Sequence, residues 1–283
     1  MSIQWFPGHM LETEKALKQS ISKVDAVLEV LDARLPHASE NPFVHKLSKK
    51  TARLKLLNKA DLADPDVTQA WLEYYETQDG ISAVAASVNQ KGQAQPALEK
   101  CVRRIQRNRA RKIKIMVVGI PNTGKSTLLN SLAGKKIAKT GNIPAVTRHQ
   151  QRTSLPNNID IYDTPGILWP VIEPKERALA LAASGAIADT AFDYHEIAFF
   201  VAGFLMERYP NLVLDRYPFL SELPQDESQF IETVGRARGC LKKGGVLDYQ
   251  KASLAIIQDL RTGKMGRISF ETPDDLERAT AIV

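Results

Sequence analysis

The sequence predicts an α/β fold, with a doubly wound, mainly parallel sheet in residues 1–174 and an all-helical domain in residues 175–283. Three observations lead there. Short apolar runs alternate with segments of helical periodicity through the first half of the chain, the pattern of a parallel sheet covered on both faces. The run at 112–119, KIKIMVVG, feeds a glycine-containing loop and then a helix. After about Trp169 the short apolar runs cease and helical spacing takes over.

The elements follow in order. Residues 25–32, DAVLEVLD, read as a buried strand, and 33–42 as a polar loop after it. A second strand, 52–57, ends directly at Asn58. Residues 64–75 open with Asp-Pro and carry apolar residues at helical spacing, so they form a helix. Short runs at 81–87 and 112–119 add two strands, a helix starts near Lys125, and 158–163 is one more strand. In the second domain, helices are expected over 176–187, 194–209, 228–240 and 247–261, with Gly263 as a C-terminal stop.

Composition narrows the classes. The chain of 283 residues is 43% hydrophobic and 25% charged, ordinary for a protein with a real core. Its net charge of +6 leans toward an anionic partner. Two cysteines, Cys101 and Cys240, without a CxxC or nearby histidines, speak against a disulfide framework or a zinc site. The longest strongly apolar stretch, 197–206, is too short to span a bilayer. With no secretory signal evident at the N-terminus, a cytoplasmic location is expected.

Gly119-Ile120-Pro121-Asn122-Thr123-Gly124-Lys125-Ser126 matches GxxxxGK[ST] between a strand and a helix, the context in which that pattern binds phosphate. Glycines let successive backbone N–H groups converge on phosphate oxygens, and the helix N-terminus adds its dipole. Asn122, Thr123, Gly124 and Thr127 belong to this phosphate cradle. Lys125 is expected to reach the β- and γ-phosphates and Ser126 to ligate Mg2+. Asp163-Thr164-Pro165-Gly166 ends the next strand, so Asp163 is a candidate to hold Mg2+ through water and the Gly166 N–H to sense the γ-phosphate. Taken alone DTPG is a fair turn sequence; paired with the phosphate loop it becomes a switch element. Thr147, between the two motifs, is the candidate for a second Mg2+-ligating hydroxyl, with Thr140 and Thr153 as competitors.

Asn58-Lys59-Ala60-Asp61 selects guanine over adenine. A carboxylate accepts from guanine N1–H and the exocyclic amine, and adenine offers neither donor on that edge. A buried carboxylate left unpartnered costs about 1–3 kcal/mol, so Asp61 discriminates. Asn58 is expected to tie the base loop to the phosphate loop, and the Lys59 stem to lie against the ring. Without that company the tetrapeptide would read as a strand-to-helix turn with an N-capping Asp.

These motifs and their order resemble the circularly permuted GTPases of the YlqF type, the ribosome biogenesis GTPase A family. Trp5-Phe6-Pro7-Gly8-His9-Met10 is similar to the family's N-terminal signature, and Asp32-Ala33-Arg34 with Asn41-Pro42 to its DAR…NP segment. Pro144-Ala145-Val146-Thr147 stands where the family has PGxT, with Ala145 replacing Gly. The likeness extends to the tail ending Gly266-Arg267-Ile268-Ser269-Phe270-Glu271. Ala86-Ser87 occupies the place of the base-contacting SA element, in reversed order. The resemblance implies a circularly permuted P-loop GTPase domain that binds GTP/GDP with Mg2+, and a C-terminal domain that contacts RNA. Cutting the sheet elsewhere leaves its loops converging at the carboxyl ends of the strands. The new boundary falls just beyond Gly166, so GTP is expected to reorient the C-terminal domain through that segment.

Ile167 stands where many switch GTPases carry a water-orienting Gln, which predicts slow turnover that a partner accelerates. The resemblance offers His9 as the substitute catalytic group; a packing or capping residue is the other reading. Asn122 resembles the Asn that coordinates K+ in potassium-activated relatives. For the partner, residues 100–114 carry Lys100, Arg103, Arg104, Arg107, Arg109, Arg111, Lys112 and Lys114 with no acid among them. RNA phosphates would suit that run; a solvated helix face is the alternative. A second cluster, Arg236, Arg238, Lys242 and Lys243, sits beside Gly244-Gly245. The expectation is a monomeric GTPase that binds rRNA and the large ribosomal subunit precursor while GTP-loaded and assists its late assembly. The alternatives are a GTP-gated RNA-binding module and a GTPase serving RNA modification.

Overall fold

The computed structural model describes residues 18–48, 51–103, 105, 112–134, 151–155, 158–164, 172–187 and 192–281. The chain forms two compact units, Met1–Ile172 together with Glu271–Val283, and Glu173–Phe270. The sequence reading placed the whole of 175–283 in the helical domain. In the structure the last thirteen positions return to the first unit instead.

Six strands make the sheet of the first unit: β1 (Ala26–Asp32), β2 (Ala52–Asn58), β3 (Ile81–Ala86), β4 (Ile113–Val118), β5 (Gln151–Leu155) and β6 (Ile159–Asp163). Their order is β3-β2-β1-β4-β6-β5, all neighbours parallel except β5 against β6. Strand order reverses direction between β1 and β4, the switch point beside which doubly wound sheets bind ligands. β1 is buried along its whole length, which is why it reads as a near-continuous apolar run. Ala26, Leu28 and Val30 join Ile115 and Val117 in one core layer, under helices α3 (Ala94–Val102) and α4 (Lys125–Ala133). The opposite face meets Val44 of α1 (Pro42–Leu47) and Trp71 and Tyr75 of α2 (Pro65–Thr77). The C-terminal helix α10 (Pro273–Ala281) packs against α2, with Leu276 on the Trp71 cluster. Backbone O of Glu271 accepts from Trp71 Nε1 at 3.1 Å, and its Oε1 from Ala38 N at 2.9 Å, which explains the return of the tail.

Helix boundaries follow the caps. Asp64 accepts from Asp66 N and Val67 N with Pro65 in the first turn of α2, and Asn41 accepts from Phe43 N with Pro42 in the first turn of α1. Thus the expected polar loop over 33–42 ends in a helix one and a half turns long, too short for its periodicity to show. β5 (QRTSL) was also not foreseen, because an antiparallel edge strand with polar residues carries no apolar alternation.

Glu29, in the middle of the apolar run of β1, has a specific partner. It lies in register with Lys55 of β2, whose Nζ donates to Glu29 Oε2 at 3.1 Å and to Glu40 Oε1 at 2.8 Å. Tyr75 OH also donates to Glu40, and the Asn41 N–H to Glu29. Burial pushes the Glu29 carboxyl up despite Lys55, whereas Glu40 is held down by Lys55 and the Tyr75 hydroxyl against its own burial. One ammonium therefore serves two carboxylates and pins the end of the 33–41 loop to the sheet.

The second unit is helical: α5 (Lys175–Ser184), α6 (Tyr194–Arg208), α7 (Pro210–Arg216), α8 (Glu227–Ala237) and α9 (Tyr249–Arg261). α6 packs against α8 and α9, and Ile197, Val201, Leu205, Phe230, Val234, Ile256 and Ile257 on these helices are buried. Asp259 is a buried polar hub, accepting from Arg216 Nε at 2.9 Å and Tyr217 OH at 3.2 Å and pairing with Arg238 at 2.6 Å. Among the described residues no single helix is long and apolar enough to cross a membrane.

Replacing Lys55 by Met leaves two buried carboxylates facing each other, a loss of about 3–5 kcal/mol. The urea midpoint should fall when followed by tryptophan fluorescence, which reads the first unit because residues 173–270 contain no tryptophan.

Candidate nucleotide-binding site

The loop after β4 is shaped by backbone conformations that a side chain would forbid. Gly119 has φ 150°, and a Cβ there would lie 2.5 Å from Val30 O. Gly124 has φ 101°, and its Cβ would lie 2.2 Å from Asn58 Nδ2. Asn122 also adopts a left-handed φ of 59°. Gly124 is the N-cap of α4, where no side chain caps the helix and no acid occupies the first turn. The first-turn N–H groups and the positive end of the dipole are thus directed to an anion from outside the helix. Thr123 Oγ1 and Lys125 Nζ both donate to Ile120 O, at 3.1 and 2.7 Å, closing the loop on itself.

Lys125 and Asp163 face each other in this cradle. Val117 of β4 is in register with Asp163 of β6, and Thr164 Oγ1 donates to Val117 O at 2.8 Å, fixing the chain just past the carboxylate. Burial pushes the Lys125 ammonium down to about 8, only partly offset by Asp163. Burial likewise pushes Asp163 up to about 6 against the pull of Lys125 and the Thr164 N–H. Asp163 Oδ1 is buried and has no hydrogen-bond partner. An orphaned carboxylate oxygen fits Mg2+, which takes one or two protein oxygens and otherwise waters and phosphates. Among the described residues no group of three or more His, Cys, Asp or Glu could hold a metal ion.

The base side is tied to the phosphate side through one amide. Asn58, 3% exposed at the end of β2, donates from Nδ2 to Thr123 O at 2.7 Å and accepts on Oδ1 from Val88 N at 3.0 Å. Next to it Lys59 adopts φ 61°, and its Nζ donates to Asp32 Oδ2 at 2.7 Å. Asp61 N donates to Ser87 Oγ at 2.9 Å and Ala60 N to Ala86 O at 3.3 Å. Ala86-Ser87 therefore abuts Asn58–Asp61 whatever the order of its two residues.

Known proteins agree with this geometry. The family model described as a 50S ribosome-binding GTPase matches residues 114–201. Ribosome biogenesis GTPase A of Priestia megaterium is 42% identical over 288 residues, spanning 98% of this chain and 99% of that protein. The protein of the same name from Thermotoga maritima is 34% identical, spanning 97% and 96%. The chain belongs to the ribosome biogenesis GTPase A family. Among solved structures, GDP-bound TM YlqF matches with a TM-score of 0.68 at 31% identity, covering 92% of this chain and 100% of that one. GNP-bound YlqF from T. maritima matches at 0.67 and 30%, covering 93% and 99%.

The fold of this GTPase is accordingly a circularly permuted P-loop domain with a helical unit. Within it the structure brings together Asn58, Lys59, Asp61, Ala86, Ser87, Asn122, Thr123, Gly124, Lys125 and Ser126, with Thr127 half-buried one residue on. His9, Thr147 and Gly166 lie outside the described residues, as do Thr140 and Ile167. Thr153, the other competitor of Thr147, is in the β5 ladder opposite Ile161. Asp61 is exposed, so the penalty for a wrong base arises when the base itself covers its carboxylate. The basic surfaces change too. Lys112 sits 3.6 Å from Asp160, while Arg236 pairs with Glu232 at 2.8 Å and Arg238 with Asp259. Asp32, met in the sequence only as part of a signature, turns out to contact the base loop directly.

Two outcomes follow for nucleotide binding by this family member. Gly124→Ala forces a left-handed backbone on alanine and drives its Cβ into Asn58, so GDP affinity should fall about 100-fold, the equivalent of roughly 2.7 kcal/mol, in calorimetry on folded protein. Phosphate raises the Lys125 pKa on binding, so above pH 8 association must take up a proton. GDP affinity should then weaken by up to about tenfold per pH unit from pH 8 upward, read by titration across pH 7–10.

Proposed function

We propose that this chain uses GTP to bind and leave the large ribosomal subunit precursor, contacting rRNA while GTP-loaded and assisting a late step of its assembly. The observation that carries the GTP-dependent part is the tie between the phosphate loop and the guanine-side loop, Asn58 Nδ2 donating to Thr123 O, beside the uncapped N-terminus of α4 and the orphaned Asp163 Oδ1. The ribosomal part is supported by relatives named for ribosome biogenesis that align over nearly the full chain.

In this reading Ser126, Asp163 and Thr147 hold Mg2+. Bound there, the ion would neutralise charge that develops on the phosphate oxygens during transfer. Lys125 reaches the β- and γ-phosphates, Gly166 senses the γ-phosphate, and Asn122 is the residue toward K+. His9 takes the place of the water-orienting glutamine, since Ile167 offers no hydrogen bond. Asp61 reads guanine N1–H and the exocyclic amine, with Lys59 along the ring. Among the described residues, contact with rRNA falls to the exposed cations of the two basic clusters that form no ion pair. These are Lys100 and Arg103 in the first unit and Lys242 and Lys243 in the second, whose turn runs through Gly244 and Gly245 at φ 84° and 75°. Phosphate contacts of this kind position a protein on RNA without reading sequence.

GTP turnover should rise at least about tenfold on adding purified large subunits and lose that gain when salt is raised from 50 to about 200 mM. In the same assay K+ should outperform Na+. Nucleotide-dependent particle binding without any stimulation of turnover would favour a GTP-gated binding module instead.

A further inference from the structure

Asp32 is the buried charge of this region that nucleotide chemistry leaves unused. It closes β1 in register with Asn58 at the end of β2 and is 1% exposed. Its Oδ1 accepts from the Arg34 backbone N at 3.1 Å and Nε at 2.9 Å, and its Oδ2 from Arg34 Nη2 at 2.8 Å and Lys59 Nζ at 2.7 Å. Burial opposes ionisation, but Arg34 and Lys59 together outweigh it and hold the carboxyl far below the usual range.

The forked contact from Arg34 already neutralises this carboxylate. Lys59 is not required for charge balance, and a second cation on one buried anion brings no obvious gain in stability. What the contact does is fix the lysine. Its backbone is held at φ 61°, a conformation that a side chain adopts at a cost, by Leu62 N donating to Lys59 O at 2.9 Å and Ala60 N to Ala86 O at 3.3 Å. With both the backbone and the ammonium fixed, the methylene stem between them has little freedom left.

We propose that Asp32 is a positioning residue for guanine recognition, clamping the Lys59 ammonium so that the lysine stem is ordered before the base arrives. Ordering a lysine side chain is a cost that nucleotide binding then does not bear. The clamp rests on the reading of Lys59 as the residue along the base, and the test separates the two.

GDP dissociation constants are measured for wild type, Asp32→Asn, Lys59→Met and the double variant, together with steady-state GTP turnover. Asp32→Asn should weaken GDP about tenfold, yet by less than about twofold in the Lys59→Met background. It should raise KM for GTP by a similar factor and lower kcat far less, because the chemistry lies at the opposite end of the nucleotide. Equal weakening in both backgrounds would overturn the clamp and leave Asp32 with a general structural role. No effect of Lys59→Met by itself would overturn the reading of Lys59 instead. Should Asp32→Asn fail to fold, Asp32→Glu keeps both cations paired while moving the carboxylate by one methylene. It should weaken GDP in the Lys59 background only, and a loss of equal size with Met at 59 would again overturn the clamp.

Discussion

One buried amide holds the nucleotide site together. Asn58 joins three loops from distant parts of the chain, donating to Thr123 of the phosphate loop and accepting from Val88 beyond β3. The approach is close enough that Gly124 can be nothing larger, since a Cβ there would meet the Asn58 amide at 2.2 Å. The glycine and the asparagine are therefore one constraint written at two positions. The base loop and the phosphate loop follow different strands, β2 and β4. Their spatial relation comes from parallel strands that end at the same edge.

β1 supplies a second constraint through two carboxylates on opposite faces. Asp32 fixes the start of the 33–41 loop through Arg34, while Glu29 fixes its end through Asn41 N, with Lys55 bridging to Glu40. Between them Ser39 Oγ accepts from Asp32 N, and Ala38 N donates to Glu271. The DAR and NP signatures thus have physical meanings: Asp32 and Arg34 form a buried pair, and Asn41-Pro42 is a helix cap with proline in the first turn. The same loop receives the chain as it returns from the helical unit at Glu271.

Charge at the phosphate end follows a different rule. Lys125 and Asp163 are shifted toward neutrality by burial, although each is the other's countercharge. Their opposition is too weak to offset desolvation, so the pair contributes little to folding by itself. In the proposed reading a polyphosphate and its cation would supply the charges that restore both groups. Asp32, with two cations against one carboxylate, shows the contrasting case in which structure alone keeps the ion charged.

The strands of the parallel core, the glycine loop between strand and helix, the NKAD tetrapeptide at the end of β2 and the permuted order were legible in the sequence. Each is local: apolar runs, a glycine pattern between strand and helix, and contiguous motifs carry their meaning within a few residues. The short helix α1, the polar edge strand β5 and the return of 271–283 were not legible, because a helix of six residues has little periodicity and tail docking depends on Trp71 and Ala38, far away in sequence. Nor did composition show which cations are spoken for. The run at 100–114 and the cluster near 240 look uniformly basic until Asp160 and Asp259 arrive from other elements. Only the tertiary structure decided these pairings, and with them the link between Asp32 and Lys59, since a charge–charge contact depends on distance in space and not along the chain.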